Sequence, residues 1–324
     1  MEELLKIENL SVGIPSPAGK VQAVRDVSFE LYPGEVLAIV GESGCGKSML
    51  CKAIMKLLPK SAKIEGGKII AGGVDITGYS DRDMRRLRGK LFSMIFQDPM
   101  TALNPLMTVG DQIAEVLLLH QTEDKKAAMD KAGDMLEMVG IPRERYVEYP
   151  HQFSGGMKQR VVIAIALACN PKMLIADEPT TALDVTIQAQ VLDLMRELQK
   201  DMGTSIAFIT HDLGVVSEMC DRVIVLYCGE VVEEAMSEEL FANPQHPYTE
   251  GLLGTLPKFG QKGRLATIPG VVPPSGKFPP GCVFAPRCPY ATEKCHACKP
   301  ALCEISDGHK VRCFRYNDQE QEVK

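Results

Sequence analysis

Eight residues, Gly41-Glu42-Ser43-Gly44-Cys45-Gly46-Lys47-Ser48, have the spacing G-x-x-x-x-G-K-[ST]. Glycines at those positions let the backbone curl until successive N–H groups face inward, and a helix that starts there adds its positive end. The lysine then reaches the outer phosphates of a nucleotide and the serine hydroxyl ligates Mg²⁺. Gly41, Ser43, Gly44, Cys45, Gly46, Lys47, Ser48 and Met49 are therefore candidate nucleotide contacts. Four further polar residues each follow a short apolar run: Gln97, Asp177, Glu178 and His211. Asp177 is placed to hold Mg²⁺ with Ser48, and Glu178 to polarise an attacking water as general base. Gln97 suits a contact to metal and water, and His211 a hydrogen bond to a γ-phosphate. Taken singly, paired acids after a strand are often a solvated turn and a lone histidine often caps or packs. Taken together behind a phosphate loop they describe phosphoryl transfer.

Such a site needs a buried strand before the loop and a helix after it. Val36-Leu37-Ala38-Ile39-Val40 is a continuous apolar run, as in a parallel strand covered on both faces. Met49, Leu50, Ala53, Ile54, Leu57 and Leu58 recur at helical spacing, with Pro59 just beyond. Residues 4–12 and 21–31 read as strands joined by a loop at 13–19, and 64–76 as a short strand pair. The basic run 81–90 reads as a solvated helix face. Strands are expected at 91–96, 173–176 and 205–210, and a hairpin at 222–233 that turns at Cys228-Gly229. Between the strand at 91–96 and that at 173–176 the texture changes to amphipathic helices at 109–119 and 124–139, followed by an apolar helix that runs to Cys169. Alternating strands and helices mean a mostly parallel sheet, and the polar residues fall at its carboxyl edge, where ligands bind in open α/β folds.

The chain has 324 residues, enough for one large domain and a smaller one. A net charge of −6 gives no electrostatic reason to expect nucleic acid as a partner. The sequence MEELLKIENL lacks the basic-then-apolar layout of a secretory signal, and no window is apolar for long enough to span a bilayer. Eleven cysteines without such a signal argue for reduced thiols or metal ligation. Cys45, Cys51, Cys169, Cys220 and Cys228 are scattered, whereas Cys282, Cys288, Cys295, Cys298, Cys303 and Cys313 crowd the C-terminal end. Two cysteine regimes suggest two modules.

Ser154-Gly155-Gly156-Met157-Lys158-Gln159 is a stretch that a generic phosphate-loop enzyme does not need. Placed between the glutamine strand and the Asp-Glu strand, it resembles the signature motif of ATP-binding cassette (ABC) transporter ATPases. Thr181-Ala182-Leu183-Asp184 resembles that family's D-loop, Gln97 its Q-loop and His211 its switch histidine; the similarity covers about residues 4–245. The resemblance implies an α/β fold: a RecA-like, mostly parallel core with an antiparallel β subdomain, an inserted helical subdomain over residues 98–165, and an irregular Cys-rich extension from 246 to 324. It implies ATP with Mg²⁺, and two cassettes that dimerise head to tail. Each ATP is then sandwiched between the loop of one and the Ser154, Gly155, Gly156, Gln159 and Asp184 positions of the other. Two features depart from the family pattern. Phe153 stands where leucine is commoner, and no aromatic precedes Phe29, which leaves adenine to the aliphatic side of residues 18–24.

The loop, residues 97–105 and His246-Pro247-Tyr248-Thr249 closely resemble the ATPase subunits of oligopeptide, dipeptide and nickel importers. So do Arg287-Cys288-Pro289 and Gly308-His309-Lys310-Val311-Arg312-Cys313 in the tail. The implied partners are two transmembrane permease subunits, a second homologous ATPase (or a second copy of this chain when isolated) and an external solute-binding protein. The implied location is peripheral, on the cytoplasmic face of the membrane.

Residues 246–281 are rich in proline and poor in apolar periodicity, so a metal is a candidate core for the extension. The spacing C-x5-C-x6-C-x2-C-x4-C-x9-C, with His296 and His309 nearby, suits zinc or an iron–sulfur cluster. Zinc sites usually show paired C-x2-C knuckles, and only Cys295/Cys298 qualify. The resemblance matches Cys282, Cys288, Cys295 and Cys313, which implies a [4Fe-4S] cluster on those four. Competing functions are a soluble ABC ATPase of DNA repair or translation, which would carry coiled-coil insertions or two cassettes, and a regulator that binds ATP without turnover, which would tend to lose Glu178, His211 or the signature.

Overall fold

A computed structural model describes residues 2–16, 19–121, 124–181, 183–256, 267–274 and 276–317. Their strands, in chain order, are β1 (Leu5–Ser16), β2 (Gly19–Leu31), β3 (Val36–Val40), β4 (Lys63–Ala71), β5 (Val74–Asp75), β6 (Phe92–Ile95), β7 (Met173–Asp177), β8 (Ser205–Thr210), β9 (Arg222–Tyr227), β10 (Glu230–Met236), β11 (Cys303–Ser306) and β12 (His309–Val311). The chain divides into two compact units, each assembled from separate segments.

One unit comprises residues 1–5, 31–36 and 70–209. Its β6, β7 and β8 run parallel, with Ile95 beside Ala176 and Asp177 beside Ile209. Parallel register brings the ends of β6 and β7 to the same edge, so Gln97 and the Asp177-Glu178 pair leave the sheet together. All five residues of β7 are buried, as its apolar run requires. The expected helical block is present as Pro99–Ala102, Val109–His120, Lys125–Met138 and Gly155–Leu167. Val109, Ile113, Ala114 and Leu117 are buried on the second of these, and Ala128, Ala132 and Leu136 on the third. Gly110 is required there, because a Cβ at that position would sit 2.6 Å from the Tyr146 carbonyl. The basic run forms the helix Asp81–Leu87, capped by Ser80, with Arg85 and Arg88 both on exposed Asp81.

The other unit comprises residues 6–30, 37–69 and 210–324. In it β2, β1 and β4 lie side by side. Ser28 Oγ accepts the Asn9 N–H and Ser11 Oγ the Asp26 N–H, so β1 and β2 run antiparallel. Strand extends through residues 13–16 and resumes at 19, which corrects the expected loop at 13–19; cross-strand pairing overrides the Gly/Pro/Ser texture there. In the same unit β3 pairs parallel with β9, β9 antiparallel with β10, β10 with β12 and β12 with β11. The β9–β10 turn is at Cys228-Gly229, both with positive φ (49° and 81°), the geometry that matches strand twist in a two-residue turn. The helix after the loop runs only from Lys47 to Ile54, a turn short of its apolar stripe. Lys56 turns left-handed (φ 53°) and the Leu57 N–H reaches back to the Lys52 carbonyl, a Schellman-type end ahead of Pro59.

The extension has more order than its composition suggests. Residues 303–311 form a hairpin whose second strand adds to β10, with Glu233 opposite Val311. Tyr248, Val283, Phe284, Ala285 and Val311 are buried. The described part of the extension thus borrows a sheet edge for its hairpin.

Candidate active site

The phosphate loop lies between β3 and its helix, as the sequence required. Gly41, Gly44 and Gly46 have φ of 153°, 79° and 107°. A Cβ on Gly41 would stand 2.2 Å from the Leu226 carbonyl and one on Gly46 2.2 Å from the Ala23 carbonyl, so only glycine permits this turn. Lys47 is buried, and its ammonium donates to the carbonyls of Gly41 (2.7 Å) and Glu42 (3.2 Å). Burial pushes the Cys45 thiol up, against the lowering effect of Lys47, so this loop cysteine is held as the neutral thiol. Ser43 and Gly44 are exposed at the loop's tip, and Ser48 and Met49 are half-buried in the first helical turn. His211, in the same unit, is an exposed residue directly after β8.

The other unit carries the remaining candidates. Asp177 is buried at the end of β7, and Glu178 follows in a left-handed conformation, φ 49°. A non-glycine residue is held there only when its surroundings fix it. The Glu178 N–H donates to the Ile209 carbonyl (2.9 Å), while its Oε2 accepts from Gln97 Nε2 and Thr181 Oγ1, both at 2.9 Å. Gln97 and Glu178, 81 positions apart, are thus brought into direct contact, and Thr181, named in the sequence only as the start of the D-loop stretch, holds the same carboxylate.

Ser154 caps the helix Gly155–Leu167, its hydroxyl accepting the Met157 N–H at 3.4 Å. Ser154 and Gly155 are exposed, which leaves a helix N-terminus open to an anion. Gly156 is buried, and a Cβ there would meet Ile187 Cγ2 at 2.4 Å. Asp184 caps the helix Val185–Met202 by accepting the Ile187 N–H, so it fixes the residue against which Gly156 packs. Gln159 is buried one turn into the signature helix, and its amide has no hydrogen-bond partner among the described residues. Of the D-loop, Ala182 lies outside the described residues. Ala18, at the start of the expected adenine segment, does too; from Gly19 that segment is part of β2. The aromatic beside it comes from far downstream, with the Phe278 ring centroid 4.5 Å from the Arg25 guanidinium carbon.

Residues 24–181 match the ABC transporter family, and residues 232–295 match the oligopeptide/dipeptide transporter C-terminal region. The chain is 53% identical to the dipeptide transport ATP-binding protein DppD of Bacillus subtilis, over 97% of this chain and 95% of that one. It is 50% identical to the oligopeptide transport ATP-binding protein OppD of the same organism, over 96% of this chain and 88% of that one. Among solved structures, the dimeric post-hydrolysis state of the ATP-binding cassette MJ0796, bound to ADP and Pi, matches with a TM-score of 0.65 and 28% identity, covering 72% of this chain and 98% of that one. The chain belongs to the oligopeptide/dipeptide family of ABC transporter ATP-binding proteins. It is an ATPase with the cassette fold, and among its described residues no helix is long and apolar enough to cross a membrane.

In this ABC ATPase the extension is stitched to β10 by three buried acids. Glu230 pairs with Arg25 and Lys299, both at 3.1 Å, and Glu234 with Arg222 and Lys310. Glu233 meets His309 Nε2 at 2.8 Å and accepts the N–H groups of Gln245 and His246. Burial alone would raise Glu233, but these donors outweigh it, His309 foremost, and bring it below the usual carboxylate range. His309 is therefore committed to Glu233, and His296 is exposed.

The six clustered cysteines separate into two sets. Cys282, Cys288, Cys295 and Cys313 line one cavity of about 160 Å³, walled by Phe284, Tyr290 and Phe314 among others. Cys298 is exposed and does not line it, and Cys303 Sγ is 3.4 Å from the Val311 carbonyl. Among the described residues no three or more His, Cys, Asp or Glu side chains are gathered closely enough to hold a metal ion. Burial raises Cys282 to about 11 and also raises Cys288 and Cys313. Neutral thiols have no reason to converge to bonding distance until a metal displaces their protons. The donor set, four thiols around one small apolar cavity, fits a thiolate-bound metal group.

Proposed function

We propose that this chain is the subunit whose ATP hydrolysis drives uptake of dipeptides or oligopeptides through a membrane permease. The observation that carries the reading is the coexistence, in one chain, of the loop, Glu178 and signature residues with an oligopeptide/dipeptide C-terminal region that is packed into the fold. ATP would enter at Gly41–Ser48, and Lys47 would exchange its carbonyl contacts for the outer phosphates. Ser48, Asp177 and Gln97 would hold Mg²⁺, which neutralises charge on the transferred phosphoryl group. Glu178 would accept the proton of the attacking water, with Gln97 and Thr181 fixing its carboxylate, and His211 would bind the γ-phosphate. The open N-terminus at Ser154-Gly155-Gly156 would close over the ATP of a second cassette, either a homologous ATPase or another copy of this chain.

Closure would act on two permease subunits at the cytoplasmic face, fed by an external solute-binding protein. The extension, taken as a module from residue 246, would carry a [4Fe-4S] cluster on Cys282, Cys288, Cys295 and Cys313, with zinc the alternative. Support for that ligand set is the shared cavity, which excludes Cys298 and Cys303.

The decisive experiment reconstitutes the chain with its permease subunits and binding protein in liposomes and measures ATPase activity against added solute. Stimulation by di- or oligopeptides is expected. Stimulation by Ni²⁺ alone would move the chain to the nickel importers, and association with no permease would overturn the transport reading.

A further inference from the structure

Glu42 carries the same sign of charge as the anion its loop is built to hold. It occupies the second position of the Gly41–Ser48 turn, where a bare carboxylate would oppose the phosphates that the N–H groups and Lys47 attract. The countercharge comes from 245 positions downstream. Arg287 Nη1 donates to Glu42 Oε2 at 2.7 Å and Nη2 to Oε1 at 3.2 Å, a two-pronged pair. The Arg287 side chain is only 4% exposed. Its remaining donors anchor it independently of Glu42: Nε to the Pro269 carbonyl at 2.9 Å, Nη2 to the Ile268 carbonyl at 3.4 Å and Nη1 to the Tyr227 hydroxyl at 3.3 Å.

The backbone of Glu42 is held as well. Its N–H donates to the Tyr248 hydroxyl at 3.0 Å, and its carbonyl accepts from Lys47. Tyr248 is fully buried and packs on Tyr227 and Phe284, with ring centroids 4.6 and 5.5 Å away. Two of the three polar groups of Glu42 are therefore gripped by side chains beyond residue 246. That grip has no role in fastening the extension that the buried acids of β10 do not already fill.

We propose that Arg287 is a positioning residue of the nucleotide site, neutralising Glu42 and setting the phosphate loop, so that the C-terminal extension is part of the ATP-binding machinery. The proposal rests on the reading of Gly41–Ser48 as the phosphate cradle. It separates two effects. Removing Arg287 leaves a naked carboxylate beside the phosphates, whereas removing the charge of Glu42 removes the need for Arg287.

The test is Mg²⁺-dependent binding of N-methylanthraniloyl-ATP to the purified full chain, with thermal midpoints recorded for every variant. Arg287→Met keeps the apolar stem and should raise the Kd about tenfold, in the range of effects seen when a close charge pair is broken. Glu42→Gln sets the reference, and the double variant Arg287→Met/Glu42→Gln should bind no more weakly than Glu42→Gln alone. A double variant as weak as Arg287→Met would make the residue's role purely structural and overturn the proposal, as would wild-type affinity in Arg287→Met. If Arg287→Met does not fold, Arg287→Lys is read the same way, weakened alone and restored by Glu42→Gln, because lysine cannot reproduce the two-pronged contact. Lys47→Ala is the control for the underlying reading. If it binds as wild type does, the loop is not the nucleotide site and both readings fall.

Discussion

At Glu178 the chain holds a charged residue in a left-handed conformation and surrounds it with three fixed partners, Gln97, Thr181 and the Ile209 carbonyl. Glutamine at that position keeps the size and an accepting oxygen but cannot take a proton. Glu178→Gln should therefore bind ATP as wild type does and lose about two to four orders of magnitude in turnover, measured as phosphate release at saturating ATP. Ordinary turnover would remove Glu178 as the base. Gly156 makes a different kind of demand. A methyl group there meets Ile187 Cγ2 at 2.4 Å, so Gly156→Ala should destabilise the chain by about 1–3 kcal/mol in denaturant unfolding, and Ile187→Ala in the same chain should recover much of it. The catalytic candidates were legible in the sequence because each directly follows an apolar strand, and a strand end is a local pattern. The grip of Arg287 on Glu42 was not, since 245 positions separate the two and nothing in either neighbourhood announces the other.

Among the elements, β10 shows where pattern reading stops. The stretch 222–233 reads as a hairpin, and its second strand runs on to Met236 as β10, whose acids would be expected at the surface. Glu230, Glu233 and Glu234 are instead all buried, because the extension brings Lys299, His309 and Lys310 to them. Removing one partner of a buried pair leaves the other charge uncompensated. His309→Leu should thus cost about 3 kcal/mol, read as a lowered urea midpoint, while the exposed His296→Leu should change it by less than about 0.5 kcal/mol. The helix after the phosphate loop errs in the opposite direction, ending a turn before its apolar stripe because Lys56 adopts a left-handed cap that periodicity cannot register. In the extension, composition pointed to a segment without a core of its own unless a metal supplied one, and the hairpin that joins β10 was missed because its strands are only four and three residues long. If the cavity holds an iron–sulfur cluster, anaerobically purified chain should contain iron and sulfide and absorb visible light. Cys313→Ser should abolish both signatures and Cys298→Ser neither; the reverse pattern would move the fourth ligand out of the cavity.

For the molecule as a whole, the proposed function assigns the loop and the signature of one chain to different ATP molecules. In that reading the Gly41–Ser48 loop takes phosphates from one side, and the Ser154 helix start is exposed, with no described atom within 4 Å of where a Cβ on Gly155 would stand. A head-to-tail pair built from this chain would contain two composite sites, each made of one loop and one signature from opposite copies. Lys47→Ala disables the loop and leaves the signature. Ser154→Arg blocks the signature and leaves the loop. Each variant alone has no complete site and should show almost no ATPase activity. Mixed in equal amounts, half of the randomly formed pairs are hetero-pairs, and each contains one site with an intact loop facing an intact signature. The mixture should therefore recover up to about a quarter of the wild-type rate. Recovery should depend steeply on protein concentration, because pairing must come before hydrolysis. A mixture as inactive as its components, measured where wild-type activity already rises with concentration, would mean that loop and signature do not complete each other across two copies. A wild-type rate per chain that is independent of concentration down to high dilution would mean that each cassette turns over ATP by itself, and the exposed signature would then need another explanation.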